Sequence, residues 1–260
     1  MNKIYVVGNK TSKSLSPLIF NYWFSKYNIK AKYEFLEVNE DSFNKEIKTL
    51  LKNRNTLGLN VTIPFKKKIL SHLDWLDPHA KKIQAANFVI NGQRIKGYNT
   101  DWIGYYNSIK KIISLRKQKV LLIGYGGAAQ SIHYLLKSKK LKNVVIFNRT
   151  KRKILFETKT KYTKFKNLEK YLPVSDLIIN TTPTNPIKPN MVKLIRSETV
   201  LSEIVYNPRM TKFLKYFPDN KKNYGIDMLL EQAIPCFEKL FGFIPSIDSK
   251  LVKLLDAKIN

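Results

Sequence analysis

Residues 119–129 read KVLLIGYGGAA, and this stretch decides the fold class. Its apolar run, 120–123, is short and continuous, which is typical of a strand buried on both faces of a parallel sheet. Three glycines follow at Gly124, Gly126 and Gly127, and a helical pattern of apolar residues comes next. A strand, a glycine-rich turn and a helix in this order predict the start of a doubly wound, Rossmann-like domain.

The glycine turn also predicts a dinucleotide site. Glycines permit the tight turn and let a pyrophosphate approach the backbone, and the N-terminus of the next helix offers unpaired N–H groups. Ala128 belongs to the same turn, and Ala129 stands where the usual fingerprint has its third glycine. An ordinary strand–helix turn is the alternative interpretation.

The end of the next predicted strand, 144–147, indicates which dinucleotide is bound. The residues that follow it are Asn148, Arg149, Thr150, Lys151 and Arg152. An NAD site usually carries an acidic residue here for the ribose 2′-hydroxyl, whereas a 2′-phosphate prefers arginine. The stretch has no carboxylate and holds two of the chain's seven arginines. The sequence therefore predicts NADP rather than NAD.

The other segments alternate between strand-like and helix-like patterns. Strands are predicted at 3–7, 33–38, 57–63, 177–180 and 200–206, and helices at 17–27, 42–52 and 228–255. Pro235 and Pro245 are expected boundaries or kinks in the last of these helical stretches. The Asn91-Gly92 pair at the centre of 88–98 predicts a hairpin. The fold class is therefore α/β, with an N-terminal α/β domain and a doubly wound second domain.

Two hydroxyls precede the first predicted helix. Ser16 is expected to cap the N-terminus of that helix, with Pro17 as its first helical residue. Ser14 is not needed as a cap, so it offers a second hydroxyl beside the same helix end. Two hydroxyls in this position suit a carboxylate.

A lysine and an aspartate follow two other predicted strands. Asn60 and Thr62 lie two residues apart and so point to one face of their strand, and Lys66 comes in the loop after it. Asp101 ends the second polar stretch, GYNTD at 97–101. If the two strand ends meet, Lys66 and Asp101 can form a proton-transferring pair. A surface lysine is the alternative interpretation.

The charge balance is the unusual property of the composition. The 260 residues carry 47 basic and 19 acidic side chains, a net charge of +28. The lysines are spread along the chain and arginine is scarce, which favours a solvated surface over nucleic-acid binding. The single cysteine, Cys236, excludes a disulfide framework and is expected in the core. With no apolar run of about 18 residues and no signal-peptide pattern, we expect a soluble, cytoplasmic protein.

Seven short motifs in one order resemble the shikimate dehydrogenase family. They are SLSP at 14–17, NVTIPFK at 60–66, GYNTD at 97–101, GYGGAA at 124–129, NRT at 148–150, EIVYNPRMT at 203–211 and GIDMLLEQ at 225–232. The resemblance implies reversible, NADPH-dependent reduction of 3-dehydroshikimate to shikimate, without a metal. It also implies a substrate domain at 1–101, completed by helices at 228–260, and an NADP-binding domain at 102–227. The small-molecule substrate would be the binding partner, and the protein would bind neither a membrane nor a specific nucleic acid. The chain would act as a monomer or homodimer.

The resemblance also implies roles for individual residues. Lys66 would transfer the proton, and Asp101 would orient it. Substrate would be bound by Ser14, Ser16, Thr62, Lys66, Asn87, Asp101, Tyr206 and Gln232. Cofactor would be bound by Gly124, Gly126, Gly127, Ala128, Asn148, Arg149, Thr150, Arg152, Ile204 and Gly225.

Several positions depart from the family motifs. Phe20 replaces a histidine, Phe88 replaces a threonine, Tyr125 replaces a small residue and Glu203 replaces an aspartate. The departures leave the implied catalytic residues in place. A quinate/shikimate dehydrogenase, a homologue without activity and a basic nucleic-acid-binding module remain the alternatives.

Overall fold

The computed structural model describes residues 1–150, 153–156, 161–163 and 167–259. The chain divides into two compact units. The first unit comprises Met1–Thr100 with Gln232–Leu255, and the second comprises Asp101–Glu231 with Asp256–Asn260.

The first unit contains a mixed sheet. Its elements are β1 (Asn2–Gly8), α1 (Ser16–Lys26), β2 (Ala31–Glu37), α2 (Phe43–Lys52), β3 (Thr56–Val61), β4 (Trp75–Leu76), α3 (Pro78–Ile83), β5 (Phe88–Ile90) and β6 (Lys96–Tyr98). The strand order is β2-β1-β3-β5-β6-β4. Strand β1 pairs in parallel with β2 and β3, and β5 is antiparallel to β3 and β6. The predicted hairpin is therefore present, although residues 91–95 connect its strands and not Asn91-Gly92 alone.

The second unit contains a parallel sheet. Its elements are α4 (Asp101–Ile109), β7 (Lys119–Ile123), α5 (Gly127–Ser138), β8 (Asn143–Phe147), β9 (Lys161–Thr163), α6 (Leu168–Tyr171), β10 (Leu177–Asn180), β11 (Val200–Glu203), α7 (Lys212–Lys215) and β12 (Lys222–Asn223). The strand order is β12-β11-β10-β7-β8-β9. From β7 the sheet grows through β8 to β9 on one side, and the chain then crosses to the other side of β7, where β10, β11 and β12 follow. The sheet is therefore doubly wound, as predicted from the glycine turn.

Successive side chains of the central strands enter two different apolar clusters, so both faces of this sheet are buried. Leu121 and Ile178 lie in one apolar cluster, whereas Leu122 and Ile179 lie in another. Successive side chains of a strand point to opposite faces, so a strand with two buried faces needs an uninterrupted apolar run.

The last two helices are α8 (Gly225–Phe241) and α9 (Ser249–Ile259). Pro235 lies inside α8, so the expected helix boundary does not fall there. Pro245 lies in the connection between α8 and α9. Within the described ranges, no helix combines the length and the apolar character needed to cross a bilayer.

Candidate active site

The start of α1 corrects one prediction from the sequence. Helix α1 begins at Ser16 itself, and Leu15 occupies the N-cap position. The Ser16 backbone N–H donates to the Ser14 hydroxyl oxygen at 3.3 Å. Ser14 therefore accepts from the first N–H of α1, and Ser16 is not the N-cap residue that the sequence predicted. Ser16 is buried and Ser14 is half-buried.

The loop after β3 holds Lys66 beside the segment that leads into β5. The strand ends before Pro64, which has no N–H to donate to a neighbouring strand. The Lys66 carbonyl accepts a hydrogen bond from the Ala86 N–H at 2.8 Å. Nearby, the Thr62 N–H donates to the Val7 carbonyl at 2.9 Å. Lys66 and Thr62 are both half-buried.

Asn87, Thr100 and Gln232 form a buried cluster of amide and hydroxyl groups, which we call the amide cluster. The Asn87 side-chain oxygen accepts from the Thr100 N–H at 2.7 Å. Its side-chain nitrogen donates to the Thr100 hydroxyl at 3.0 Å and to the Gln232 side-chain oxygen at 3.2 Å. The structure therefore brings together Asn87 and Gln232, two predicted substrate residues that lie far apart in sequence.

The amide cluster continues into the core of the first unit. The Cys236 thiol lies 3.3 Å from the Thr100 hydroxyl, and the Asn60 side-chain nitrogen lies 3.5 Å from the Cys236 sulfur. The Tyr33 hydroxyl donates to the Asn60 side-chain oxygen at 2.8 Å. Sequence reasoning placed Cys236 in the core, where it is, but missed its polar contacts and the part played by Thr100. The position of Thr100 within GYNTD was the available signal.

The packing of Phe20 accounts for one departure from the family motifs, the replacement of a histidine by phenylalanine. Its ring is fully buried and lies 4.7 Å from the Tyr33 ring and 6.1 Å from the Phe237 ring, measured between centroids. An aromatic side chain here extends the apolar core of the first unit.

The glycine turn of the second unit has the geometry of an anion site. Gly124 has φ +96°, a conformation that side chains with a Cβ rarely adopt. A Cβ built on Gly126 would meet nothing within 4 Å, so internal packing does not require glycine there. Gly126 is the N-cap residue of α5, and Gly127 is the first helical residue. The open backbone and the positive end of the α5 dipole fit a pyrophosphate.

Tyr125, within the same turn, points into the core. It is 1% exposed, and its hydroxyl lies 2.9 Å from His133 Nδ1 and accepts from the Leu155 N–H at 3.2 Å. Burial raises the pKa of Tyr125 and lowers the pKa of His133 to about 4. Both side chains are therefore neutral at pH 7, and the Tyr125 ring leaves the turn open.

The end of β8 lies beside the glycine turn, because the Gly124 N–H donates to the Phe147 carbonyl at 2.7 Å. The Asn148 side chain donates to the Thr150 carbonyl at 2.7 Å and so shapes the strand end. Arg149 and Thr150 are exposed. An exposed guanidinium here suits a 2′-phosphate. Arg152 lies outside the described residues.

Ile204 and Gly225 are also brought together. A Cβ on Gly225 would lie 2.5 Å from the Ile204 carbonyl oxygen, so only glycine permits this approach. The Ile204 N–H donates to the Asn180 carbonyl at 3.2 Å. Strand β11 ends at Glu203, earlier than predicted, and the half-buried Tyr206 lies in the loop beyond it.

Asp101 is the first residue of α4 and is 5% exposed. A carboxylate in the first turn of a helix is stabilised by the positive end of the helix dipole. Among the described residues, no group of three or more His, Cys, Asp or Glu side chains is placed to hold a metal ion.

A doubly wound unit with an open glycine turn is typical of dinucleotide-binding enzymes, and nicotinamide-dinucleotide-dependent oxidoreductases are a class that this fold and turn fit. The family model for the shikimate dehydrogenase substrate binding domain matches residues 6–89, and the model for shikimate / quinate 5-dehydrogenase matches residues 107–205. The chain belongs to the shikimate dehydrogenase family.

Known proteins similar to the chain cover nearly its whole length. The shikimate dehydrogenase (NADP(+)) of Geobacillus kaustophilus is 32% identical over 99% of both chains. That of Bacillus cytotoxicus is 36% identical over 95% of this chain and 96% of its own. The Aquifex aeolicus enzyme structure has a TM-score of 0.88 at 29% identity, covering 98% of this chain and 97% of its own. The Thermus thermophilus structure, in complex with NADP(H) and shikimate, has a TM-score of 0.85 at 26% identity over 100% of both chains.

Proposed function

We propose that this chain catalyses the reversible, NADPH-dependent reduction of 3-dehydroshikimate to shikimate. The observation that carries this proposal is the family match of both units, since relatives of this name align over nearly the whole chain. The amide cluster and the open glycine turn supply the two kinds of binding group that the reaction needs.

In the first unit, neutral polar groups recognise the substrate. The Ser14 and Ser16 hydroxyls beside the start of α1 bind the carboxylate. Thr62, Asn87 and Gln232 bind the ring oxygens. Amides and hydroxyls both donate and accept hydrogen bonds, so they suit a ligand with several hydroxyls and one carbonyl.

The catalytic residues are Lys66 and Asp101. NADPH, when bound, supplies the hydride. Lys66 donates a proton from Nζ to the oxygen of the reduced carbonyl and takes it back in the reverse direction. Asp101 binds a substrate hydroxyl and is predicted to orient the lysine, and Tyr206 faces the substrate near its carboxylate.

In the second unit, backbone and cationic groups hold the cofactor. Backbone groups of Gly124, Gly126, Gly127 and Ala128 contact the pyrophosphate at the start of α5. Asn148, Arg149 and Thr150 bind the 2′-phosphate, and Arg152 is predicted from the sequence to belong to the same site. Ile204 and Gly225 contact the nicotinamide end.

Three finer expectations belong to the same proposal. The chain acts on shikimate in preference to quinate, it works in the cytoplasm as a monomer or homodimer, and its positive charge does not serve a nucleic-acid partner. The predicted domain limits, 1–101 with 228–260 and 102–227, are retained as part of it.

The direct test is nicotinamide absorbance with purified protein and shikimate or quinate, each with NADP or NAD. Formation of NADPH from shikimate is expected. Equal rates with quinate would favour the quinate/shikimate alternative, and no turnover with any pair would leave a homologue without this activity. Tight DNA or RNA binding that survives near-physiological salt would support the nucleic-acid alternative instead.

A further inference from the structure

Glu203, the last residue of β11, is a carboxylate buried at 2% exposure. One of its oxygens accepts from the Val205 N–H at 3.0 Å. The other accepts from the Asn180 side-chain nitrogen at 2.9 Å and from the Thr211 hydroxyl at 3.2 Å. Three donors from different segments therefore meet on one carboxylate.

These hydrogen bonds fix both ends of a loop. Asn180 ends β10, and Thr211 is the N-cap residue of α7, where its hydroxyl oxygen also accepts from the Leu214 N–H at 3.4 Å. Between Glu203 and Thr211 the chain carries Ile204 and Tyr206. Because the Ile204 backbone is packed directly against Gly225, a small movement of this loop moves the surface assigned to the nicotinamide end.

The charge state of Glu203 matters because its hydrogen-bonding partners are donors. A protonated carboxyl carries its own O–H, which would point toward one of these donors, so at least one hydrogen bond is lost or reversed. Burial raises the pKa of Glu203 to about 7, opposed most by the hydrogen bonds from Val205, Asn180 and Thr211.

The charged side chains on the surrounding segments are paired, exposed or half-buried. Arg209 in the loop forms an ion pair with Asp256 at 2.7 Å and lies over the Tyr224 ring. Lys212 and Lys215 on α7 are exposed, and Asp227 on α8 is half-buried. Burial and hydrogen bonding, and not a neighbouring charge, are the largest influences on the pKa of Glu203.

We propose that Glu203 is a positioning residue for the cofactor: its ionised carboxylate holds Ile204 against Gly225, and binding of NADP(H) weakens when this carboxylate takes up a proton. The inference rests on the proposed function of Ile204 and Gly225. It adds a dependence of NADP(H) affinity on pH that comes from Glu203, a residue that does not itself contact the cofactor.

The test is fluorescence titration of NADPH between about pH 6 and pH 9, for the wild type, Glu203→Gln and Glu203→Asp. The 2′-phosphate of NADPH itself titrates near pH 6, as phosphate monoesters do, so the slopes of the variants are compared with that of the wild type. Glu203→Gln is expected to bind about ten-fold more weakly at the high end of this range and to lose the excess slope. Glu203→Asp keeps a carboxylate and is expected to keep the slope. Glu198→Gln, an exposed glutamate before β11, is the matched control and should change neither quantity.

A folded Glu203→Gln protein with wild-type affinity and slope overturns the proposal, as does a Glu203→Asp protein that loses the slope. If Glu203→Gln does not fold, Thr211→Val provides the answer. It removes one donor from the carboxylate and should move the midpoint of the pH dependence upward, and an unmoved midpoint contradicts the proposal. NADPH binding is measured without turnover. A wild type that binds NADPH but does not oxidise shikimate would therefore overturn the proposed function and leave the role of Glu203 still measurable.

Discussion

The buried polar side chains of the two units differ in kind. In the described residues of the first unit they are amides, hydroxyls and one thiol, and they include no buried Asp, Glu, His or Lys. The second unit buries Asp101, His133 and Glu203. The buried polar groups of the first unit therefore carry no charge, whereas the second unit also buries ionisable side chains, and burial raises the pKa of one of them, Glu203, to about 7.

Two of the titratable groups act on stability in opposite directions. The pKa of His133 is lowered from 6.5 to about 4 by burial, so its contribution to stability grows as pH rises from about 4 to 6.5. The pKa of Glu203 is raised from 4.5 to about 7, so its contribution is lost as pH rises from about 4.5 to 7. These windows overlap and partly offset each other. The free energy of unfolding of the whole protein can therefore change little in this pH range while the contributions of His133 and Glu203 change in opposite directions.

The largest expected effect comes from Lys66, the lysine proposed as proton donor in the first unit, whose buried polar groups are uncharged. Lys66→Ala should lower kcat by about 10²–10⁴-fold, because proton transfer belongs to the transition state, and change shikimate binding far less. Steady-state kinetics and a shikimate titration measure the two quantities. Lys67→Ala, an exposed neighbour, is the control and should leave both nearly unchanged. Equal losses of turnover and binding in Lys66→Ala would remove its assigned role.

The next effect tests whether the amide cluster is as insensitive to pH as its chemistry suggests. Asn87→Ala removes the acceptor of the Thr100 N–H and one donor to the Gln232 side-chain oxygen, which should destabilise the protein by about 2–4 kcal/mol. Urea unfolding at pH 6 and pH 8 should give the same loss, and the KM for shikimate should rise. Asn91→Ala is the matched control, because Asn91 also donates to several carbonyls in this unit and lies outside the site. If Asn87→Ala lowers the free energy of unfolding by different amounts at pH 6 and pH 8, the amide cluster is not independent of pH and the contrast between the two units is wrong.

A smaller effect separates the two opposing terms of the second unit. His133→Gln removes a buried imidazole that must stay neutral, so the variant should lose about 1–2 kcal/mol less stability than the wild type when pH falls from 7 to 5. Urea unfolding across this range measures the difference. An unchanged pH dependence would show that His133 does not titrate in the way its burial implies.

The smallest effect tests the cofactor preference. Arg149→Ala should weaken NADP by about ten-fold, since one charge-assisted contact to the 2′-phosphate is lost, and leave use of NAD nearly unchanged. Arg116→Ala, which removes an exposed arginine from the same unit, controls for net charge. If both cofactors weaken alike in Arg149→Ala, the residue does not read the 2′-phosphate.

Local sequence patterns predicted much of the fold. The run 120–123, the glycines after it and the Asn91-Gly92 pair each report a backbone preference of a few adjacent residues, and the structure has a strand, a turn into a helix and a hairpin at these places. The prediction for Ser16 was wrong for an equally local reason. Helix α1 begins at Ser16 itself, one residue earlier than a Ser16 cap would require, and the Ser14 hydroxyl accepts from the Ser16 N–H.

What required the tertiary structure was the pairing of residues that are distant in sequence. No pattern in the chain shows that Gln232 on α8 meets Asn87, or that Cys236 meets Thr100 and Asn60. The same holds for Tyr125, whose direction depends on His133 and on the Leu155 backbone. The roles of the individual site residues stay predictions until the variants are measured.

The sequence by itself determined the class of fold, the glycine turn, the basic strand end and the family, because each depends on residue types at short and regular spacing. Only the tertiary structure decided which polar groups are buried together and which of them are held away from water. Hydrogen-bond networks and shifts of pKa depend on distance and burial, and these arise only when remote segments pack. Glu203 shows the difference: in the sequence it is a substitution for aspartate, and in the folded chain it is a carboxylate on which three segments converge.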